Sequence, residues 1–310
     1  RRLQRFFQHV ELDAGWLALT LTALLKIAPP YRLCLDRTNW KVGVKDVNLL
    51  VLCVVTKRAR LPLLWHVLDH AGSSDTDQRR ALIERFIALF GKSSIRFLLA
   101  DREFVGGQWI DFLVENDIPF AIRVRGGLLV KLSDGFEGPL ERLAVNNKTR
   151  SRLSRTPGQF ATMDESRPAT LRFAALRRTD GTTIIIATNR DPARALHAYK
   201  GRWQIECLFA DAKTRGFNME DTRLAKPPKI ALLLAVIALA MAWSIACATV
   251  IKGRAEIPRA SHGYRRKSWF RTGFDTLRLW ICHEPSKAIR LWCAIWNRRT
   301  ATNNNPIRVV

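Results

Sequence analysis

The chain has 310 residues, 47% of them hydrophobic, enough to enclose a core, and that excludes a disordered tail. Lys and Arg number 51 against 27 Asp and Glu; a folded surface with that excess draws polyanions, nucleic acid first and an acidic membrane surface second. The six cysteines, Cys34, Cys53, Cys207, Cys247, Cys282 and Cys293, form no CxxC pair and lie mostly in apolar runs, so they are expected to be reduced core residues of a cytoplasmic protein.

The opening RRLQRFFQHV has neither an initiator Met nor a signal-peptide pattern, which leaves room for a preceding segment. Helical spacing runs through Leu17 to Ile27 and stops at Pro29-Pro30, giving a helical preface over residues 1–30. YRLCLDRTNW, DVNLLVLCVV and ARLPLLWHVL then read as three hairpin-linked strands. Ser73, Ser74, Asp75 and Asp77 offer caps for a helix with apolar positions Leu82, Ile83, Phe86, Ile87 and Phe90, ended by Gly91. IRFLLAD reads as a buried strand, followed by a helix through Trp109 to Val114 and the strand PFAIRVR.

Residues 126–190 change texture, with Gly, Ser, Thr, Asn and Pro between short strand-like pieces, and are expected to form an all-β insertion. Pro192 suits a first helical turn, and one long helix is expected from there through Lys213, closing near Gly216. Ile230 to Ile251 is 22 residues without a charge, long enough for a membrane span. Its Ala content and the lack of a second span favour a buried core helix and no membrane partner. Residues 252–310 hold 13 Lys or Arg against three acidic residues, with Trp269, Trp280, Trp292 and Trp296 interleaved, which suits DNA backbone contact, a protomer contact or plain core packing.

Asp36 and Asp101 each stand at the end of an apolar run, LCLD and FLLAD, where a carboxylate needs a partner or a metal. On a continuous helix at about 100° per residue, Tyr199, Arg202, Glu206 and Lys213 fall within an arc of about 60°. Ala198, Ile205, Leu208, Phe209 and Ala212 on the neighbouring arc would pack on the sheet and aim Glu206 toward Asp36 and Asp101. Three carboxylates suit two hard cations, Mg²⁺ with Mn²⁺ as substitute, and phosphoryl transfer on DNA. Arg202 would clamp a phosphate, with Lys213 and Tyr199 also contacting DNA. Asp69, Asp75 and Asp77, in a polar helix approach, and Glu103, two residues past its strand, are rival carboxylates, and His66 and His197 are rival bases better explained as structural. Thr38, Asn39 and Trp40 fit a DNA border and a turn equally well.

LDRTNW, LLADREF and YKGRWQIECLFADAK, the last read as Tyr-x2-Arg-x3-Glu-x6-Lys, resemble the DDE transposases of bacterial insertion sequences with the Tyr-Arg-Glu-Lys signature, the insertion-sequence-four type. The resemblance covers most of residues 1–250. It implies an α/β, ribonuclease-H-like mixed sheet flanked by helices, with a catalytic core of 31–125 and 191–251, the β-rich insertion between, and a helical, basic C-terminal region. The first Asp would lie on strand one, the second on strand four and the Glu on a helix after the insertion. The implied activity exposes 3′-hydroxyls at transposon ends and joins them to target DNA, with two protomers on double-stranded DNA in the bacterial cytoplasm, near the nucleoid. Relatives that flip a base use an aromatic wedge from the insertion, whereas residues 126–191 contain only Phe136, Phe160 and Phe173, so a hairpin step stays open. A nuclease or resolvase without strand transfer, and a non-catalytic DNA-binding regulator, are the rival readings.

Overall fold

Two short helices precede the sheet: α1 (Arg2–His9) and α2 (Ala14–Leu24), the latter capped by the Asp13 side chain and burying Leu17, Ala18 and Leu21. The computed structural model describes all residues except 145–150, 154–155, 164–169, 262, 264 and 301–310. The apolar runs from Tyr31 onward form β1 (Tyr31–Val42), β2 (Lys45–Val55) and β3 (Arg60–Leu68), paired antiparallel as their short polar connections require. α3 (Thr76–Phe90) begins with a capping box between Asp75 and Gln78 and ends at Gly91, whose φ of 78° favours glycine. β4 (Ile95–Ala100), α4 (Gly107–Glu115) and β5 (Phe120–Val124) come next, in the expected order.

The all-β expectation for residues 126–190 is corrected. β6 (Leu129–Leu132), β7 (Glu137–Pro139) and β9 (Gly158–Phe160) form a small separate sheet, but α5 (Leu140–Ala144) is helical. β8 (Ser151–Leu153), β10 (Arg172–Arg177) and β11 (Thr183–Thr188) instead extend the main sheet. β11 finds the open edge of β5, with Ile185 opposite Val124 and Ala187 opposite Ile122, so the apolar LRFAAL and TTIIIAT pieces are covered by the core. Part of the insertion, 145–150, 154–155 and 164–169, lies outside the described residues.

The main sheet has eight strands in the order β3-β2-β1-β4-β5-β11-β10-β8, parallel between β1, β4 and β5 and antiparallel elsewhere. Alternation along the strands divides two cores. Leu33, Leu35, Leu98, Ala100, Phe120 and Ile122 point into the larger one, whereas Cys34, Cys53, Phe97, Leu99, Ala121 and Ile186 meet two later helices on the other face.

Those two helices were expected to be one. α6 (Pro192–Tyr199) and α7 (Trp203–Ala212) are separated by a tight turn in which the Gly201 and Arg202 N–H groups donate to Ala198 and Tyr199, 2.9 Å each. Bonds of this shorter span overwind the chain and reset the azimuth of α7 relative to α6. The break lies where the chain crosses β1: a Cβ on Gly201 would stand 2.9 Å from the Arg32 side chain, and the Cys34 thiol donates to the Gly201 carbonyl.

α8 (Pro227–Lys252) is the one helix, among the described residues, long and apolar enough to cross a membrane. It packs against β3, α2 and α9 (Trp269–His283), burying Ile230, Leu234, Ile237, Met241, Ile245 and Ala248 in the fold. Gly273 permits the α8–α9 approach, since a Cβ there would fall 1.7 Å from the Ser244 carbonyl oxygen. α10 (Pro285–Thr300) closes the described chain, and residues 301–310 of the basic tail lie outside it. Trp269 and Trp280 are buried. Cys34, Cys53 and Cys247 are the buried thiols expected, but Cys207 is half-buried and Cys282 and Cys293 are exposed.

Candidate active site

Parallel register builds the first half of the site. Leu35 pairs with Ala100 across β1 and β4, and Ala100 with Ile122 across β4 and β5. One residue further, where β4 ends, Asp36, Asp101 and Arg123 are successive in a row across the sheet. By strand alternation all three follow Cys34, Leu99 and Ala121 onto the face covered by α6 and α7. Asp36 was expected at a strand end, but β1 continues to Val42 because it still pairs with β2 through Lys45. Only its parallel pairing with β4 stops beside Asp36.

Neighbouring backbone N–H groups fix each aspartate: one Asp36 oxygen accepts from Arg37 N–H at 2.8 Å and one Asp101 oxygen from Arg102 N–H at 2.8 Å. Arg37 also donates twice to Glu103, at 3.2 Å each, and to Asn48 at 3.0 Å. The segments carrying the two aspartates are thereby tied together. Of the rival carboxylates, Glu103 is paired with Arg37, and Asp75 is the helix cap.

α7 brings the third carboxylate. Arg202, at its start, donates to Asp36 Oδ2 at 3.3 Å and to Glu206 Oε1 one helical turn on. Its guanidinium therefore bridges the sheet carboxylate and the helix carboxylate, and Asp101 acts on it through space. Burial raises the Asp36 carboxyl to about 6, and the Arg37 N–H and Arg202 only partly oppose this, with Glu103 and Asp101 adding to the rise. The Arg202 shift runs the other way: burial disfavours its charge, but Tyr199, Asp101, Glu206 and Asp36 outweigh burial and hold its proton more tightly. One arginine shared by several acids gains more than it gives to any one of them.

The other two signature residues stand differently: Tyr199 stays within electrostatic reach of Arg202, Asp101 and Asp36, and Lys213 turns to other partners. Tyr199 ends α6 and is 8% exposed; its hydroxyl has no hydrogen-bond partner among the described residues, and burial pushes the phenol up. Lys213 ends α7 and leaves the Arg202–Glu206 face: it pairs with Glu220 at 2.6 Å, donates to the Asn39 carbonyl at 3.1 Å and lies over the Trp40 ring. The shared arc of four residues does not hold as drawn: the break at Gly201 takes Tyr199 off the azimuth of α7, and α7 ends at Ala212, so Lys213, its C-cap, is no longer placed by the helical repeat. Trp203 beside Arg202 is 62% exposed, whereas Phe160 and Phe173 of the insertion are buried and Phe136 half-buried.

The DDE domain family of transposases matches residues 28–243, a span that includes Asp36, Asp101, Arg202 and Glu206. The chain belongs to the transposase DDE domain family. A protein of Sinorhizobium fredii (strain NBRC 101917 / NGR234) that carries a transposase name, y4zB, is 51% identical over 49 residues, 15% of this chain and 14% of that protein. A piggyBac transposase, solved as a synaptic complex with hairpin DNA, aligns at a TM-score of 0.43 and 13% identity over 91% of this chain and 60% of its own. The chain therefore spans less than two thirds of either relative.

Arg123 was missed in the sequence. Its signal was a single cation inside the apolar PFAIRVR, meaningful only once β5 is known to lie beside β4. As a donor set for a cation, the DDE domain offers oxygen from Asp36, Asp101 and Glu206, which suits a hard divalent ion. Among the described residues no three acidic, His or Cys groups close around a common point, and Arg202 lies between two of the three carboxylates.

Proposed function

We propose that this DDE domain is a DNA transposase that cuts phosphodiester bonds at the ends of its element and joins the exposed 3′-hydroxyls to target DNA. The observation that carries this reading is the placement of Asp36 on β1 beside Asp101 just past the end of the adjacent parallel strand β4, with Asp36 joined to Glu206 through Arg202. Support for a ribonuclease-H-like core of the Tyr-Arg-Glu-Lys group comes from the order of parts: first Asp on the first strand, second Asp after the fourth, Glu on a helix beyond the insertion.

Asp36, Asp101 and Glu206 would hold two Mg²⁺ ions, with Mn²⁺ as substitute. The fit rests on the donor set and on the buried Asp36 carboxyl, whose charge Arg202 alone does not fully compensate. Bound there, the ions would supply activation of the attacking oxygen and stabilisation of the departing one. Arg202, held by two carboxylates, is available to a phosphate once those carboxylates turn to cations; a guanidinium fork binds such an oxyanion in two places. Arg123, one strand from Asp101, adds positive charge beside the same phosphate path. Lys213 and the basic α9–α10 region would track the DNA backbone, and a second protomer would hold the other end.

The test is incubation of the full chain with duplex DNA from its element's ends and Mg²⁺, scoring new 3′-hydroxyls and their joining to a second duplex. Asp36→Ala, Asp101→Ala and Glu206→Ala should each abolish cutting while retaining DNA binding. Unchanged nicking by all three variants would refute the reading, and cutting without joining would leave a nuclease.

A further inference from the structure

A buried ion pair away from the carboxylate row fastens the helix that carries Glu206. Arg60, the first residue of the edge strand β3, donates through Nε and Nη2 to Asp211 Oδ2 at 2.8 and 2.5 Å, and through Nη1 to Gln204 Oε1 at 3.3 Å. The Arg60 and Asp211 side chains are only 13% and 8% exposed. Gln204 and Asp211 are seven residues apart on α7, so they lie on one flank, about 20° apart and about 10 Å along the axis. Glu206, two residues from Gln204, projects about 200° round from it, toward Arg202 and Asp36 on the opposite flank.

We propose that Arg60, Asp211 and Gln204 form a clamp that sets the rotation and height of α7 and so positions Glu206 for cleavage; this rests on the function proposed above. A single apolar contact would let a helix roll about its axis. Three donors reaching two turns of one flank oppose both roll and slide. A roll of about 15° would carry a carboxylate about 6 Å from the axis through about 1.5 Å. Reacting groups need placement within about 0.5 Å, and a displacement of about 1 Å can cost about a hundredfold in rate. A buried pair is also a poor device for stability alone, since apolar residues of similar volume often serve the fold as well or better. Its directional bonds are what an apolar pair lacks. None of the three touches DNA or metal in this scheme, so they are positioning residues.

The test replaces the pair with an apolar one, Arg60→Met with Asp211→Leu, in the full chain, and separately makes Gln204→Met. Four quantities are read: melting temperature, binding of duplex DNA from the element's ends, single-turnover cutting against Mg²⁺ concentration, and the Mg²⁺ concentration that half-saturates the rise in melting temperature. The double variant should melt at or above the wild-type temperature and bind DNA within about twofold of it. Its cutting should fall about 10- to 100-fold, with a higher Mg²⁺ requirement in both the cutting and the melting titrations, the range that supporting residues behind metal ligands show. A well-folded double variant with wild-type cutting and Mg²⁺ requirement overturns the clamp. Should the double variant melt lower, Gln204→Met decides: slower cutting at an unchanged melting temperature supports the clamp, and wild-type cutting overturns it. A wild-type chain that does not cut at all strikes the function reading instead, and the clamp with it.

Discussion

Asp36→Asn in the metal-free protein should make the fold more stable at neutral pH, although it removes a candidate catalytic group. The Asp36 side chain is 16% exposed, and burial raises its carboxyl from 3.8 to about 6 even with Arg202 at 3.3 Å. The folded state therefore binds the proton more tightly than the unfolded chain does, and stability falls as pH rises between those two values. The full cost is reached above pH 6 and amounts to about 3 kcal/mol at about 1.4 kcal/mol per pH unit. At pH 4.5, with the native carboxyl still protonated, about 1 kcal/mol of it is present. An Asn cannot ionise and escapes the cost, less whatever Arg202 loses as a partner. The variant should thus melt about 2–6 °C above the wild type at pH 8 in EDTA, with a smaller gap at pH 4.5. Mg²⁺ should then narrow or reverse the gap, because a cation bound only by the folded wild type stabilises it. Thermal unfolding of both proteins at the two pH values, with and without Mg²⁺, checks this. An Asn variant less stable at pH 8 without metal, or a gap indifferent to pH, would refute the view that burial outweighs the Arg202 pair.

Gly273→Ala places a methyl 1.7 Å from the Ser244 carbonyl oxygen and should cost about 3 kcal/mol or more by forcing α8 from α9, read as a lower urea midpoint; an unchanged midpoint would contradict the packing described. Asp75→Ala removes the capping box of α3 and should cost about 1 kcal/mol, with Asp75→Ser restoring most of it. Lys213→Met should lower the salt slope of DNA binding by about one unit if its ammonium leaves Glu220 for a phosphate, whereas an unchanged slope would assign Lys213 to its Glu220 and Asn39 contacts alone. Arg123→Met should weaken DNA binding and cutting with no loss of melting temperature, measured by anisotropy and single-turnover kinetics.

Local pattern carried the element order well. The three antiparallel strands, the capped helix at Thr76 and the apolar strand ending at Ala100 were all legible, because period-two and 3.6-residue spacing, caps and breakers are properties of neighbours in the chain. It failed where partners lie far apart. Nothing near Thr183 says that β11 will take the free edge of β5 some 60 residues earlier, so an insertion expected to stand alone became partly an extension of the main sheet. The helix break at Gly201 failed for a similar reason: the room a Cβ would need there is taken by the Arg32 side chain on β1, and a lone glycine within a helical pattern is ordinarily tolerated.

For the site, the sequence by itself determined the chemical groups: two aspartates after apolar runs, and a glutamate one helical turn beyond an arginine, a spacing that the backbone converts directly into contact. Only the tertiary structure decided how they meet. Parallel register set Asp36 beside Asp101 and added Arg123, the break in the helix left Tyr199 in the smaller core, the end of α7 at Ala212 let Lys213 turn toward Asn39, and Arg60 reached across from β3 to α7. The division comes from distance along the chain. Groups on one regular element are placed by its repeat, while groups on different elements, from about twenty to well over a hundred residues apart, are placed by packing, which no local repeat encodes.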